Sequence, residues 1–165
     1  MNLTNNTILI TGGTSGIGLT LGRALLIRNN TVILLGRDQS KLALTEKEGF
    51  KTILCDLGRQ EDIESAVFFI HNHYPQINML FNNAGVQCNY DFTSSVIPIK
   101  KISQEININL TGQLILTQLL IPILAKAPKA VIVNTTSGLG IFPKVDGLVY
   151  SAGKAALAHK ILSKS

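Results

Sequence analysis

Short apolar runs alternate with longer segments of helical length along the chain. The runs are continuously apolar, as in Val131-Ile132-Val133, which is typical of strands that helices cover on both faces. Strands that alternate with helices predict an α/β fold with a doubly wound parallel sheet, in the strand order 3-2-1-4-5. The predicted strands are residues 7–11, 31–36, 51–55, 78–82 and 130–135.

A glycine-rich turn follows the first predicted strand. The run Thr11-Gly12-Gly13-Thr14-Ser15-Gly16-Ile17-Gly18 leads into a helix-like stretch. Glycines let a backbone approach a pyrophosphate, and the N–H groups at a helix start attract its negative charge. The first gap between glycines is longer than in G-x-G-x-x-G. The run therefore indicates either a variant dinucleotide turn or a purely structural turn.

The second predicted strand ends in Gly36-Arg37-Asp38, where a dinucleotide fold faces the adenosine ribose. Gly36 occupies the position of the usual ribose-binding acid, and the planar guanidinium of Arg37 suits a 2′-phosphate. Lys41 adds a second positive charge. This pattern predicts NADP as the cofactor. Asp38 keeps NAD open, and a solvated arginine is the plain alternative.

Three residues near the end of the chain carry candidate chemistry. Tyr150 and Lys154 are four residues apart, so on one helix they share a face and the ammonium lies near the phenol. A positive charge there favours phenolate, which makes Tyr150 a usable general acid or base. Ser137 can hold the same substrate oxygen by a hydrogen bond. Taken alone, the pair is better explained by a surface lysine beside a half-buried tyrosine.

The motifs together resemble the short-chain dehydrogenase/reductase family, in its compact branch, and the resemblance covers the whole chain. Thr11–Gly18 are similar to its cofactor turn, Cys55-Asp56-Leu57 to its adenine-contacting segment, and Asn82-Asn83-Ala84-Gly85 to its strand-four motif. Asn109 looks like the asparagine that completes a catalytic tetrad with Ser137, Tyr150 and Lys154. Each residue also has an ordinary alternative: Asp56 as a helix N-cap, Asn109 as a capped or solvated helix residue.

The resemblance implies hydride transfer between NADP(H) and a small-molecule carbonyl or hydroxyl substrate. Tyr150 would exchange the proton, Ser137 would orient the substrate oxygen, and Lys154 would assist Tyr150 and grip the nicotinamide ribose. Asn109 would hold a water that relays protons. The implied cofactor-binding residues are Gly12, Thr14, Ser15, Gly16, Ile17, Gly18, Arg37, Asp56, Leu57, Asn83, Ala84, Gly85, Tyr150 and Lys154.

Family members usually continue beyond the position that corresponds to Ser165. We therefore expect one NAD(P)-binding Rossmann-like domain over residues 1–165 that is incomplete at its C-terminus and lacks the family's last strands. The fifth strand would then be an apolar edge that promotes aggregation. The alternative function is an inert fragment that binds a nucleotide or a partner. The resemblance also implies a homo-oligomer formed through helices at 100–126 and 148–164.

Composition narrows the possible partners. The net charge of +5 is scattered along the 165 residues, which gives little support for nucleic-acid binding. The two cysteines lack metal-ligand spacing, which argues against a metal and indicates a reducing compartment. The amino terminus has no apolar signal core, so we expect a cytoplasmic protein. The most apolar segment, Leu114–Leu124, is too short to span a membrane.

A finer similarity concerns three short stretches, namely Gly12–Ser15, Gly85–Gln87 and Ser137–Leu139. They resemble a bacterial subgroup labelled for D-alanine esterification of teichoic acids. This suggests a bacterial reductase whose substrate the sequence does not define.

Overall fold

Five parallel strands pair in one sheet: β1 is Thr7–Thr11, β2 Thr31–Gly36, β3 Lys51–Leu54, β4 Met79–Asn82 and β5 Val131–Asn134. The computed structural model describes residues 3–90, 92–93 and 99–158. The strand order β3-β2-β1-β4-β5 confirms the predicted order. Each strand lies within one residue of its predicted ends.

Helices connect the strands and flank the sheet. Their bounds are α1 Gly16–Leu26, α2 Gln39–Glu46, α3 Gln60–His73, α4 Ile99–Ile106, α5 Gly112–Leu124 and α6 Leu148–Ala158. A π-helical turn, Asn107–Thr111, joins α4 to α5, and two short 3-10 turns, Gly138–Gly140 and Val145–Gly147, lie between β5 and α6. The predicted helical range 148–164 therefore lies partly outside the described residues.

The core has two halves because successive side chains of a strand point to opposite faces of the sheet. Leu9 and Ile33 pack on one face with buried residues of α3 and α5. Ile8 and Leu34 pack on the other face with Leu25 of α1. All five residues of β1 are buried. This two-sided cover explains why the strands appear in the sequence as continuous apolar runs.

The helix from Ile99 to Leu124 is continuous over 26 residues and is long and apolar enough, by composition, to cross a membrane. Its polar residues Glu105, Asn109 and Gln113 are nevertheless buried in the protein, and Leu116 lies in the core. These contacts are those of a core helix, and they explain the apolar character of the segment that begins at Leu114.

The strand β5 lies at one edge of the sheet and pairs with β4. All four of its residues are half-buried, whereas all four residues of β4 are buried. Val131 and Val133 pack against the half of the core that contains Phe81, but they are only partly buried there. The apolar edge expected at the fifth strand is therefore present among the described residues.

Candidate active site

The carboxyl ends of the strands open into a cleft of about 690 Å³. All the predicted catalytic and cofactor-binding residues line it, except Gly18 and Asn109. The cleft joins the glycine turn to Ser137, Tyr150 and Lys154. The predicted residues that line it are Gly12, Thr14, Ser15, Gly16, Ile17, Arg37, Asp56, Leu57, Asn83, Ala84, Gly85, Ser137, Tyr150 and Lys154.

The glycine turn is shaped by two residues in the left-handed region, Gly12 at φ 63° and Gly16 at φ 52°. A Cβ on Gly12 would lie 2.8 Å from the Ala84 Cα, whereas a Cβ on Gly16 would meet nothing within 4 Å. Ser15 is the N-cap of α1 but its side chain makes no capping hydrogen bond. The first N–H groups of α1 therefore lack a side-chain cap, which suits an anionic group such as a pyrophosphate.

Gly18 has a packing role outside the cleft. A Cβ on Gly18 would lie 2.5 Å from both the Asn83 Nδ2 and the Gly12 carbonyl oxygen. Asn83 Nδ2 donates to the Thr11 carbonyl at 3.0 Å. Gly18 thus lets α1 approach the turn closely, and its assignment to the cofactor site stays a prediction.

The Thr11 hydroxyl joins the ends of β1 and β4. It accepts hydrogen bonds from the Asn83 and Ala84 backbone N–H groups, each at 2.9 Å, and donates to the Phe81 carbonyl at 3.3 Å. Thr11 is fully buried. The sequence analysis named Thr11 only as the first residue of the glycine motif. Its position as a hydroxyl residue at the carboxyl end of an apolar strand could have indicated this linking role.

The end of β2 presents one exposed cation to the cleft. Arg37 is exposed and makes no ion pair within the described part of the chain. Asp38 is occupied as the N-cap of α2, where it accepts from the Lys41 backbone N–H at 3.1 Å. A Cβ on Gly36 would lie 2.9 Å from the Thr14 Cγ2, so an acidic side chain there needs a local shift.

Asp56 lies in the loop after β3 and lines the cleft. Its Oδ1 accepts from the Gly58 backbone N–H at 2.9 Å, and the N-cap of α3 is Arg59. The alternative of Asp56 as a helix N-cap is therefore wrong.

The Cys55 thiol is buried next to Asp56. This burial raises the pKa of the thiol to about 12, and the negative charges of Asp62 and Asp56 add to the rise. The shift favours the protonated thiol over the reactive thiolate.

Tyr150 and Lys154 lie together on α6. The Lys154 Nζ is 5.7 Å from the centroid of the Tyr150 ring and donates to the Thr135 carbonyl at 2.7 Å. Lys154 is 2% exposed, and this burial lowers its pKa from the ordinary lysine value. The ammonium is therefore held beside the phenol by a backbone carbonyl at the end of β5.

Ser137 reaches the same end of the cleft through a 3-10 turn. It is the N-cap of Gly138–Gly140, and its Oγ accepts from the Leu139 backbone N–H at 3.2 Å. A Cβ on Gly140 would lie 2.9 Å from the Ala155 backbone nitrogen. This close contact holds the turn against α6, which brings Ser137 to the helix that carries the tyrosine.

Asn109 lies behind the cleft, in the π-helical turn, and is 1% exposed. Its Oδ1 accepts from the Val86 N–H at 2.8 Å and its Nδ2 donates to the Val86 carbonyl at 2.7 Å. A Cβ on Gly85 would lie 3.5 Å from the Lys154 Nζ and 3.6 Å from the Asn109 Oδ1. The alternative of a solvated helix residue is wrong, since both amide atoms bind the loop after β4.

Several residues that the sequence analysis did not assign to the site also line the cleft, including Thr135, Thr136 and Val86. Thr135 and Thr136 directly follow β5, and ligands of open parallel sheets bind at the carboxyl ends of strands. This rule could have identified them. Among the described residues, no group of three or more His, Cys, Asp or Glu side chains is placed to hold a metal ion.

Comparison with known proteins identifies the family. The model of the short chain dehydrogenase family matches residues 6–163. The chain therefore belongs to the short-chain dehydrogenase/reductase family of oxidoreductases.

Curated relatives share between about a quarter and two fifths of their aligned residues with this chain. An uncharacterized oxidoreductase, DltE, of Bacillus subtilis is 40% identical over 159 residues, which are 95% of this chain and 63% of DltE. A serine 3-dehydrogenase of Agrobacterium fabrum is 33% identical over 93% of this chain and 62% of its own length. A very-long-chain 3-oxoacyl-CoA reductase of Anas platyrhynchos is also 33% identical, over 89% of this chain and 50% of its own length. The chain thus spans half to nearly two thirds of these relatives.

Solved structures share the fold. The 3-ketoacyl-(acyl-carrier-protein) reductase of Brucella melitensis, complexed with NADH, superposes with a TM-score of 0.86 at 24% identity. That match covers 94% of this chain and 67% of the reductase. Ligand-free aldohexose dehydrogenase of Thermoplasma acidophilum superposes with a TM-score of 0.83 at 22% identity, over 94% of this chain and 58% of the dehydrogenase.

Proposed function

We propose that this chain forms the cofactor-binding and catalytic part of an NADP-dependent oxidoreductase that interconverts a carbonyl and a hydroxyl group. The observation that carries the proposal is the Lys154 Nζ, 5.7 Å from the Tyr150 ring, in the same cleft as Ser137 and the glycine turn. A single cleft thus combines a site for a phosphorylated nucleotide with a group that can exchange a proton.

The residues of the cleft fit a nicotinamide dinucleotide. The uncapped N–H groups at the start of α1 would hold the pyrophosphate, and Arg37 would bind the 2′-phosphate. Asp56 and Leu57 would contact the adenine. Such a cofactor supplies or accepts the hydride at the substrate carbon when it is bound.

The chain's own residues would handle the substrate oxygen. A serine hydroxyl has one donor and two acceptor sites. Because the Ser137 Oγ accepts from Leu139 N–H, its hydrogen is left to donate to the substrate oxygen. Tyr150 would give its phenolic proton to that oxygen during reduction and take it back during oxidation.

Lys154 would support this proton exchange electrostatically. Its ammonium stabilises the negative charge that develops on the Tyr150 oxygen, and burial strengthens the interaction because the local dielectric is lower than that of water. The bond to the Thr135 carbonyl holds the ammonium in place. Asn109 fixes the adjoining loop through Val86, and we propose that it also orients a water that relays protons to Lys154.

The relatives support this reaction class in general terms. The serine 3-dehydrogenase and the 3-oxoacyl-CoA reductase are named for reactions at a hydroxyl or a carbonyl group. Their substrates differ, so they suggest the reaction for this chain and leave its substrate open.

We further propose a homo-oligomer formed through α5 and α6. Leu114 and Leu119 of α5 are each 37% exposed, although the opposite side of this helix lies in the core. Exposed apolar side chains beside the core-facing side of a helix are typical of an interface between copies. Light scattering of the purified protein should give at least twice the monomer mass, and Leu119→Arg should reduce it.

Titration with NADPH and with NADH, followed by intrinsic and nucleotide fluorescence, tests the cofactor part of this proposal. A panel of aldehydes and ketones, with NADPH oxidation followed at 340 nm, tests the reaction. We expect tighter binding of NADPH than of NADH, and reduction of at least one carbonyl class. Binding of NADPH without any turnover would instead select a nucleotide-binding chain without activity.

A further inference from the structure

Four buried polar side chains form a stripe along the helix from Ile99 to Leu124. They recur at every fourth position, so they share one face of the helix. This polar stripe consists of Glu105, Asn109, Gln113 and Thr117. Burial of polar groups in a helix that packs into the core is unfavourable unless each group makes a specific hydrogen bond. The partners of the polar stripe therefore indicate what it does.

The polar stripe binds every second residue from the end of β4 onward. Its hydrogen bonds, at 2.6–3.3 Å, join Thr117 to Asn82, Gln113 to Ala84, Asn109 to Val86 and Glu105 to Cys88. Four residues of a helix advance by about 6.0 Å and two residues of an extended chain by about 6.6 Å, so the two repeats match. The helix therefore fixes this segment at alternate residues, with the two chains running in opposite directions.

The two inner bonds of this set end on residues of the cleft, and the two outer bonds do not. Ala84 and Val86 line the cleft, whereas Asn82 and Cys88 are not among its lining residues. Loss of an inner bond should therefore alter the cleft, and loss of an outer bond should alter stability alone.

Ala84 is the residue against which the glycine turn packs. Its Cα is 2.8 Å from the position that a Cβ on Gly12 would occupy. Both backbone polar groups of Ala84 are bound, since its N–H donates to the Thr11 hydroxyl at 2.9 Å and its carbonyl accepts from the Gln113 Nε2 at 2.6 Å. The position of Ala84 therefore limits the shape that the turn at Gly12 can take.

The stability of the core does not explain a glutamine at position 113. Gln113 is fully buried, and its Oε1 has no hydrogen-bond partner among the described residues. A buried amide oxygen without a partner is destabilising, and methionine would fill a similar volume without one. The Nε2 donor is therefore the part of this side chain that the protein uses.

We propose that Gln113 is a positioning residue for the dinucleotide, because its bond to Ala84 holds the glycine turn in the shape that receives the pyrophosphate. This inference rests on the proposed function. The pyrophosphate is common to NADPH and NADH, so the bond should contribute equally to the affinity for both. Arg37, in contrast, should contribute to the affinity for NADPH alone.

Fluorescence titration of NADPH and NADH with Gln113→Met tests this proposal. The substitution removes the donor and the unpaired oxygen, and it keeps the length of the side chain. Both dissociation constants should rise about three- to tenfold, the range that one hydrogen bond allows, and their ratio should stay at the wild-type value. The melting temperature should change little, because loss of the bond and removal of the unpaired oxygen have opposite effects.

Thr117→Val is the matched control. It removes an outer bond of the same polar stripe, the one that Thr117 accepts from the Asn82 Nδ2 at 3.0 Å, and it keeps the shape of the side chain. It should lower the melting temperature and leave both dissociation constants unchanged. A purely structural role of Gln113 would give the same pattern as Thr117→Val, whereas a positioning role changes binding more than stability.

Amide hydrogen exchange examines the glycine turn without a cofactor. The Gly12 N–H donates to the Leu35 carbonyl at 2.9 Å, so its exchange rate reports how firmly the turn is held. Relative to the core amides of β1 in the same sample, exchange at Gly12 should be faster in Gln113→Met than in wild type. It should be unchanged in Thr117→Val.

The two measurements distinguish failure of this inference from failure of the proposed function. If wild type binds neither dinucleotide, the proposed function is contradicted, and the exchange rate at Gly12 alone decides the role of Gln113. Unchanged dissociation constants in folded Gln113→Met, or exchange at Gly12 equal to that of wild type, would overturn the inference. If Gln113→Met does not fold, Gln113→Asn, whose amide is too short by one methylene, takes its place with the same expected results.

Discussion

Replacement of Arg37 by leucine tests the choice of cofactor. Arg37 is exposed at the cleft and has no ion pair within the described residues, whereas Asp38 is occupied as the N-cap of α2. A hydrogen bond to a charged group contributes about 1.5–3 kcal/mol, and solvent exposure favours the lower end of that range. Arg37→Leu should therefore weaken NADPH binding roughly tenfold. NADH lacks the 2′-phosphate, so its affinity should stay the same.

Fluorescence titration of both dinucleotides at low and high salt measures this effect. The preference of wild type for NADPH should shrink at high salt, since exposed charges are screened. Arg28→Leu, in the loop between α1 and β2 at the amino ends of the strands, is the control and should alter neither affinity. An equal loss for both dinucleotides in Arg37→Leu, or equal affinities in wild type, would refute the assignment of Arg37 to the phosphate.

Three further predictions concern stability. Because burial lowers the folded-state pKa of Lys154 below 10.5, the unfolded chain binds more protons in the interval beneath that value. The unfolding free energy of wild type relative to Lys154→Met should thus rise with pH through this interval, as urea titrations can measure; a constant difference would contradict the cause given for the shift. A Cβ on Gly112 would lie 2.0 Å from the Leu57 carbonyl oxygen, and one on Gly138 would meet nothing within 4 Å. Calorimetry should therefore show Gly112→Ala destabilised by about 2 kcal/mol or more and Gly138→Ala nearly unchanged. Thr11→Val leaves two backbone N–H groups without their acceptor and should cost about 1–3 kcal/mol; a cost near zero would mean that these groups find other partners.

The strands were predictable because both faces of the sheet are covered. Continuous burial along β1 and β2 requires continuous apolar runs, and such runs can be recognised without knowledge of their neighbours. The glycine turn was predictable for a related reason, since positive φ at Gly12 and Gly16 is a local requirement. Local rules thus determined most of the fold and the cofactor end of the cleft.

The contacts behind the cleft could not be predicted from local rules. The π-helical turn at Asn109 and the burial of Glu105 depend on the loop after β4, which packs back against the helix that follows it, on residues 17 and 23 positions further along the chain. Position 112 accommodates only glycine because the Leu57 carbonyl passes so close to it. No periodicity or capping signal encodes such contacts. For the same reason, the close packing of Gly18 against Asn83 and Gly12 could not be read from its motif.

Our central claim is that the phenol beside Lys154 exchanges the proton on the substrate oxygen. The turnover rate of Tyr150→Phe decides it. NADPH affinity and NADPH oxidation with a reactive carbonyl should be measured on the same sample. We expect unchanged affinity with a loss of turnover of at least a hundredfold, the lower end of what general acid–base catalysis contributes. Tyr74→Phe, outside the cleft at the end of α3, should behave as wild type. Retained turnover in Tyr150→Phe, or an equal loss of binding and turnover, would contradict the claim.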